Sequence, residues 1–186
     1  EYQDLQIKLV EKGVFLHQKR KAILLQFESE VTSILRNLGM QEANFKVQLD
    51  AIDKYNAYGM DALQWLFSAN KGNALGLLKQ VASGGEMSRI MLAVKSVMAK
   101  KAHLPTIIFD EIDTGISGEV AVKMGEIMKT MAQDMQVICI THLPQIASKG
   151  EIQLKVYKES TLNKTQTQIK KLTDNERLKE IAEMLG

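Results

Sequence analysis

Asp110 and Glu111, two carboxylates closing the apolar run Thr106-Ile107-Ile108-Phe109, are the residues of this chain best placed to do chemistry. A second apolar run, Val137-Ile138-Cys139-Ile140, ends in Thr141-His142. In an open α/β sheet, ligands sit beyond the carboxyl ends of the strands, so both groups fall where a substrate belongs. Nucleotide hydrolysis gives each a use. An Asp holds Mg²⁺ through water, the neighbouring Glu orients or deprotonates the attacking water, and a His from the next strand reaches the γ-phosphate. Taken singly, a solvated strand end and a structural histidine are simpler readings of the same residues.

A third group is Ser83-Gly84-Gly85-Glu86, directly before a helical pattern. Ser83 and Glu86 have the spacing of a capping box, in which the serine oxygen accepts a first-turn N–H and the glutamate reaches back. That spacing leaves the two glycines unexplained, although each costs a helix roughly 1 kcal/mol relative to alanine. Bare first-turn N–H groups at the positive end of a helix dipole would let a phosphate approach closely.

The elements that must position these groups follow from periodicity. Residues 1–38 contain no proline and carry Leu5, Leu9, Leu16, Ile23, Leu24, Phe27, Val31, Ile34 and Leu38 at helical spacing, which predicts one long helix closed by Gly39. Leu9-Leu16-Ile23 and Leu24-Val31-Leu38 are seven-residue series that suit pairing with another helix. Phe45, Val47 and Leu49 alternate, and Leu63 to Phe67 is an apolar stretch running to the turn-like Asn70-Lys71-Gly72-Asn73; both predict strands. A helix from near Ser83 carries Ile90, Met91, Val94, Val97 and Met98 on one face. The two apolar runs flank a helix through Val120, Met124, Ile127, Met128 and Met131, and this order predicts an α/β fold with a parallel sheet covered on both faces. An alternating strand around Ile152, Leu154 and Val156, a partner around Thr165 to Ile169 and a helix from about Asn175 complete the pattern.

Bulk properties narrow the class. The 186 residues, 45% hydrophobic and 25% charged, are enough for a substantial core. A net charge of +2 from 24 basic and 22 acidic residues gives no general polyanion-binding signal. Lys155, Lys158, Lys164, Lys170 and Lys171 flank the last strands and read as a solvated face, with phosphate contact as the alternative. The single cysteine, Cys139, lies in an apolar run that reads as a buried strand, which fits a reducing cytoplasm. No leader and no apolar stretch near the ~20 residues of a bilayer helix are present, so no membrane role is expected.

Together the groups are more specific than apart. A Ser-Gly-Gly-Glu helix start, a strand ending Asp-Glu, an Asp just after it and a strand ending in His, in that order, resemble the C-terminal half of a P-loop ABC-type ATPase head. The resemblance implies that Ser83, Gly84, Gly85 and Glu86 are the signature motif, Asp110 and Glu111 the Walker B pair, Asp113, Thr114 and Gly115 the D-loop, and His142 the switch histidine. Glu86 stands where transporters most often have Gln, and Ala82 where they have Leu. Those departures point to the chromosome-maintenance, SMC-like branch. The stretches LLKQVASGGEMSRIMLAVKSVMA, TIIFDEIDTGISGEVA, VICITHLPQIA and WLFSANKG resemble its DNA-repair members, over residues 40–186.

What the resemblance implies is an ATP-dependent head with Mg²⁺ at Asp110, and Glu111 and His142 as catalytic residues. ATP would lie between two heads of a homodimer, with Ser83 to Glu86 reaching the nucleotide of the partner and Asp113 coupling the two sites. DNA would be the macromolecular partner and the nucleoid the location. Residues 1–39 would be the returning arm of a coiled coil and 40–186 the C-terminal lobe of the head. A P-loop ends in Gly-Lys-Ser/Thr, and this sequence has no Gly-Lys dipeptide. The expectation is therefore a C-terminal piece whose site is completed by an N-terminal lobe of the same polypeptide. Rival readings are a head of another SMC-like protein, a helicase-like or AAA+ ATPase, and a non-catalytic helical dimerisation module.

Overall fold

Helical spacing of leucine, valine and isoleucine carries α1 through Tyr2–Asn37. The computed structural model describes residues 1–110, 112–161 and 164–186, without the side chains of Asp53 and Thr161. Gly39 closes α1 with φ +81°, its N–H bonding Arg36 C=O at 3.1 Å while Met40 N–H bonds Leu35 C=O at 3.0 Å. This paired arrangement satisfies the last carbonyls and needs the left-handed backbone that glycine adopts without a Cβ penalty. The two seven-residue series separate here: Val31 and Leu38 are fully buried, whereas Leu9, Leu16 and Ile23 are exposed.

The chain divides into two compact units, Glu1–Met98 and Ala99–Gly186. In the first, β1 (Asn44–Asn56) and β2 (Gly59–Ser68) form an antiparallel hairpin that pairs Phe45 with Phe67 and Val47 with Trp65. The short β3 (Gly76–Leu77) adds to β2, and α2 (Leu78–Val81) leads toward α3 (Gly84–Ala102). Phe45 stands edge-on to Phe27 of α1 and to Trp65, with centroids 6.2 and 5.9 Å apart. Around this contact Val31, Leu35, Phe67, Ile90 and Val94 form a buried core. Met98, expected on the same apolar face of α3, is exposed.

Carboxylates fix the hairpin to α1 as well. Glu28 is buried and accepts the N–H of Val47 at 2.8 Å and the ammonium of Lys46 at 2.8 Å. β1 runs well beyond the alternation of residues 45–49, and its register with β2 shifts between Ala51 and Asn56.

In the second unit β4 (Thr106–Asp110) and β5 (Gln136–Ile140) pair in parallel, from Thr106 opposite Gln136 to Asp110 opposite Ile140. The crossover helix α4 (Gly118–Met131) buries Ala121, Met124, Met128 and Met131, and it packs on β5 and on α5 (Pro144–Ala147). A Cβ at Gly125 would lie 3.2 Å from the Gln145 carbonyl oxygen and 2.9 Å from the Lys149 side chain, so a bare glycine lets α5 come this close.

The sheet is covered differently from the sequence expectation. Ile107 and Phe109 are buried, but Ile108 and Ile140 are each 56% exposed and Ile138 is exposed too. Cys139, expected in a buried strand, is half-buried. The reason is local: residues on alternate sides of a strand face opposite ways, and among the described residues one face of this two-stranded sheet is left open.

The chain ends in an antiparallel pair, β6 (Leu154–Thr161) and β7 (Lys164–Lys171), then α6 (Asp174–Leu185). Ile152, assigned to this strand from the sequence, precedes it. Thr173 and Glu176 form a capping box at the start of α6.

Candidate functional site

Because β4 and β5 run parallel and in register, the residues after Asp110 and after Ile140 emerge at the same end of the sheet. Asp110 is the last residue of β4 and is exposed. Glu111, assigned from the sequence as the water-orienting carboxylate, lies outside the described residues. Thr114 and Gly115 are exposed, and Gly115 has φ +70°.

Asp113 behaves differently from its neighbours. Its side chain is 2% exposed, and its Oδ2 accepts the Thr141 hydroxyl and, at 3.0 Å, the backbone N–H of His142. Nδ1 of the His142 ring lies 3.2 Å from the same oxygen, while that side chain is 75% exposed. Thr141 Oγ1 in turn accepts the N–H of Leu143 at 3.0 Å. Burial and the Asp113 charge push the nearby Cys139 thiol up to about 11. Asp113, Thr141 and His142 thus form one connected group at the strand ends.

In the other unit, Ser83 and Gly84 are exposed at the start of α3, with Gly85 and Glu86 half-buried. Ladder bonding begins with Met87 N–H to Ser83 C=O at 2.8 Å, so the N–H groups of Gly84, Gly85 and Glu86 precede it. The reach-back of the capping box expected here is made. Ser83 N–H donates to Glu86 Oε2 at 2.8 Å, as the reach-back requires, but the Ser83 hydroxyl also donates to that oxygen at 2.8 Å. A two-oxygen carboxylate is the stronger acceptor and draws the hydroxyl hydrogen to itself. A Cβ built on Gly84 meets nothing within 4 Å. Packing among the described residues therefore does not explain that glycine.

Two residues near these groups were not singled out from the sequence. Thr141 looked like the end of an apolar run, and its tie to Asp113 joins residues 28 apart in the chain. Arg89 donates through Nε to Gly85 C=O at 3.1 Å and through Nη1 to Leu38 C=O at 3.3 Å, linking the start of α3 to the end of α1. Its four-residue spacing from Gly85 was the available signal.

Among the described residues the candidate carboxylate for a divalent cation is Asp110. No cluster of three ligating side chains occurs among the described residues. A single exposed carboxylate suits Mg²⁺, which keeps most of its waters and takes remaining ligands from phosphate oxygens. Of the lysines near the last strands, Lys155 bonds Glu180 and lies 3.5 Å from Glu183, and Lys170 bonds Glu176 at 2.5 Å. Lys170 and Thr173 hold the Glu176 carboxyl down at about 2. Those two ammonium groups serve α6.

No protein-family model matches the chain. It is 38% identical over 172 residues to the DNA repair protein RecN of Vibrio cholerae serotype O1, across 92% of this chain and 31% of that protein. RecN of Treponema pallidum is 38% identical over 190 residues, covering 99% and 33%, and RecN of Deinococcus radiodurans 39% over 182 residues, covering 98% and 32%. The chain spans about a third of the length of these curated relatives. Among solved structures it resembles one from a study of ATP-driven dimerization and DNA-stimulated activation of SMC ATPases, with TM-score 0.64 and 16% identity over 91% of this chain and 98% of that one. The Smc head domain with a coiled coil and joint from Pyrococcus yayanosii gives TM-score 0.68 at 14% identity, covering 91% and 32%. The fold is that of the C-terminal half of an ABC-type head with a long N-terminal helix, as the sequence led us to expect. No described helix is long and apolar enough to cross a membrane.

Proposed function

From the premise that this chain is similar to RecN along almost its whole length, we propose that it forms part of the ATP-binding and hydrolysing head of an SMC-like protein acting in DNA repair and recombination. The observation that carries the proposal is the parallel register of β4 and β5, which sets Asp110 and the Asp113–His142 group at one sheet end. That arrangement supports phosphoryl transfer, where catalysis rests on positioning and on donors aimed at developing charge.

In this reading Asp110 takes Mg²⁺ through water, and the ion neutralises phosphate charge when bound. Glu111 orients the attacking water and His142 contacts the γ-phosphate. The P-loop, missing from this sequence, comes from an N-terminal lobe. The exposed Ile108, Ile138 and Ile140 offer that lobe an apolar face of the kind a covered parallel sheet requires. Ser83, Gly84, Gly85 and Glu86 face ATP held by a partner head, so that nucleotide joins a homodimer. Residues 1–39 form the returning arm of a coiled coil, a role supported by the exposed Leu5, Leu9, Leu16 and Ile23. DNA is the partner of the assembled protein, in the cytoplasm.

Ser83→Arg in the full-length protein tests the proposal. ATP binding is expected to persist while ATP-dependent dimerisation, read by analytical ultracentrifugation, is lost. Asp110→Asn is expected to impair Mg²⁺-dependent turnover. A Ser83→Arg protein that still dimerises with ATP, or hydrolysis by this 186-residue chain alone that Glu111→Gln abolishes, contradicts the assignment.

A further inference from the structure

We propose that Asp113 is a positioning residue for His142 within its own head, with Thr141 as its aligning partner, rather than a group that reaches across to a second head. The proposal deepens the ATPase reading and rests on it for the identity of the reaction.

The geometry is specific. One oxygen of a carboxylate that is 2% exposed accepts two donors from the residues after β5, the Thr141 hydroxyl and the His142 backbone N–H at 3.0 Å, and lies 3.2 Å from the ring Nδ1. A carboxylate offers only lone pairs and negative charge, so a proton on the neighbouring Nδ1 is favoured over one on Nε2. Nε2, on the far side of the ring, is then the nitrogen that this exposed side chain presents outward. It accepts from water or, when the ring is protonated, donates to a phosphate oxygen.

Thr141 gives the group its direction. Its oxygen accepts Leu143 N–H at 3.0 Å, so its own hydrogen is free to point at Asp113. The carboxylate is thereby held in place beside the ring. A His held by a carboxylate on one nitrogen is fixed in both tautomer and ring orientation, as with second-layer partners of other catalytic and metal-binding imidazoles. A carboxylate so buried, with two donors and a ring nitrogen of its own chain against it, is committed to them. Reaching a partner head would require breaking these bonds.

The test begins with the 186-residue chain and ¹⁵N-labelled histidine. Long-range ¹H–¹⁵N spectra at a pH where the ring is neutral are expected to show His142 as the Nδ1–H tautomer, opposite to the one free histidine favours in water. Asp113→Asn is expected to erode that preference. Thr141→Val is expected to weaken it, and Thr141→Ser to restore it. In the full-length protein Asp113→Asn should lower kcat for ATP about 10–100-fold with KM little changed, and leave ATP-dependent dimerisation intact. A wild-type ring in the Nε2–H form overturns the proposal without any variant having to fold. So does an Asp113→Asn protein that keeps the tautomer but loses dimerisation, which would return Asp113 to a cross-interface role. Absence of ATPase activity in the full-length wild type, with the tautomer as expected, would instead count against the ATPase reading.

Discussion

Asp61 of β2 and His17 of α1 face each other at 2.5 Å from Oδ1 to Nδ1, and Arg20 completes the clamp at 2.7 Å from Oδ2. The Asp61 side chain is only 2% exposed. Burial pushes its carboxyl up, but the hydrogen bonds and charges of His17 and Arg20 outweigh it and hold the group below its ordinary value of 3.8. A carboxyl lowered on folding stabilises the fold above the unfolded-state value, and the contribution is lost as pH falls through the folded-state value. Asp61→Asn is therefore expected to cost about 2 kcal/mol at pH 7. The gap between wild type and variant in urea denaturation should shrink as pH is taken from neutral to well below that ordinary value. An unchanged gap would mean that ion pairing at this clamp contributes nothing.

Glu28 satisfies a backbone donor inside the same unit, the N–H of Val47. Glu28→Ala leaves that N–H buried and unpaired, at an expected cost of about 1–3 kcal/mol. Glu28→Gln keeps an acceptor and should cost less. Chemical denaturation of the two variants side by side makes the comparison.

Gly84 separates stability from function. A Cβ there meets nothing within 4 Å among the described residues, and the residue is outside the positive-φ set, so Gly84→Ala should stabilise by about 0.4–1 kcal/mol through the unfolded state. In the full-length protein the added methyl group stands where a phosphate is proposed to approach. ATP-dependent dimerisation should weaken although the melting temperature rises.

His103 follows α3 at φ +49°, and Leu104 N–H reaches back to Ala99 C=O at 3.5 Å. A side chain in this left-handed conformation costs about 1–2 kcal/mol that glycine avoids. His103→Gly should raise stability by about 1 kcal/mol, offset slightly by the freer unfolded chain. Thermal denaturation reads the change directly.

Cys139, with its thiol at about 11 instead of 9.0, should alkylate slowly. Near pH 8 its thiolate fraction is about a hundredfold below that of an unperturbed thiol. Iodoacetamide labelling is expected to be slow in the native chain and to accelerate in urea.

Much of the fold was legible because its signals are local. The period of α1, the stop at Gly39, the alternation at Phe45 and Val47 and the two apolar strands with a helix between them all survive in the structure. The 13 residues of β1 were not legible at full length, since the polar segment after Ala51 carries no alternation and is held by pairing with β2. The short β3, α2 and α5 were missed for a related reason: two to four residues hold too little periodicity to register.

By itself, the sequence determined which chemical groups stand at which element ends, because strand ends, caps and glycine pairs are set by residues a few positions apart. It placed Asp110, Asp113 and His142 at or just after the ends of their strands and Ser83 to Glu86 at the start of α3. Only the tertiary structure decided how those groups are used by one another. Asp113 turns inward to Thr141 and His142, and among the described residues one face of the parallel sheet stays open. Each outcome depends on strand register or on what lies across a sheet, and these are set by contacts between residues that local spacing does not relate.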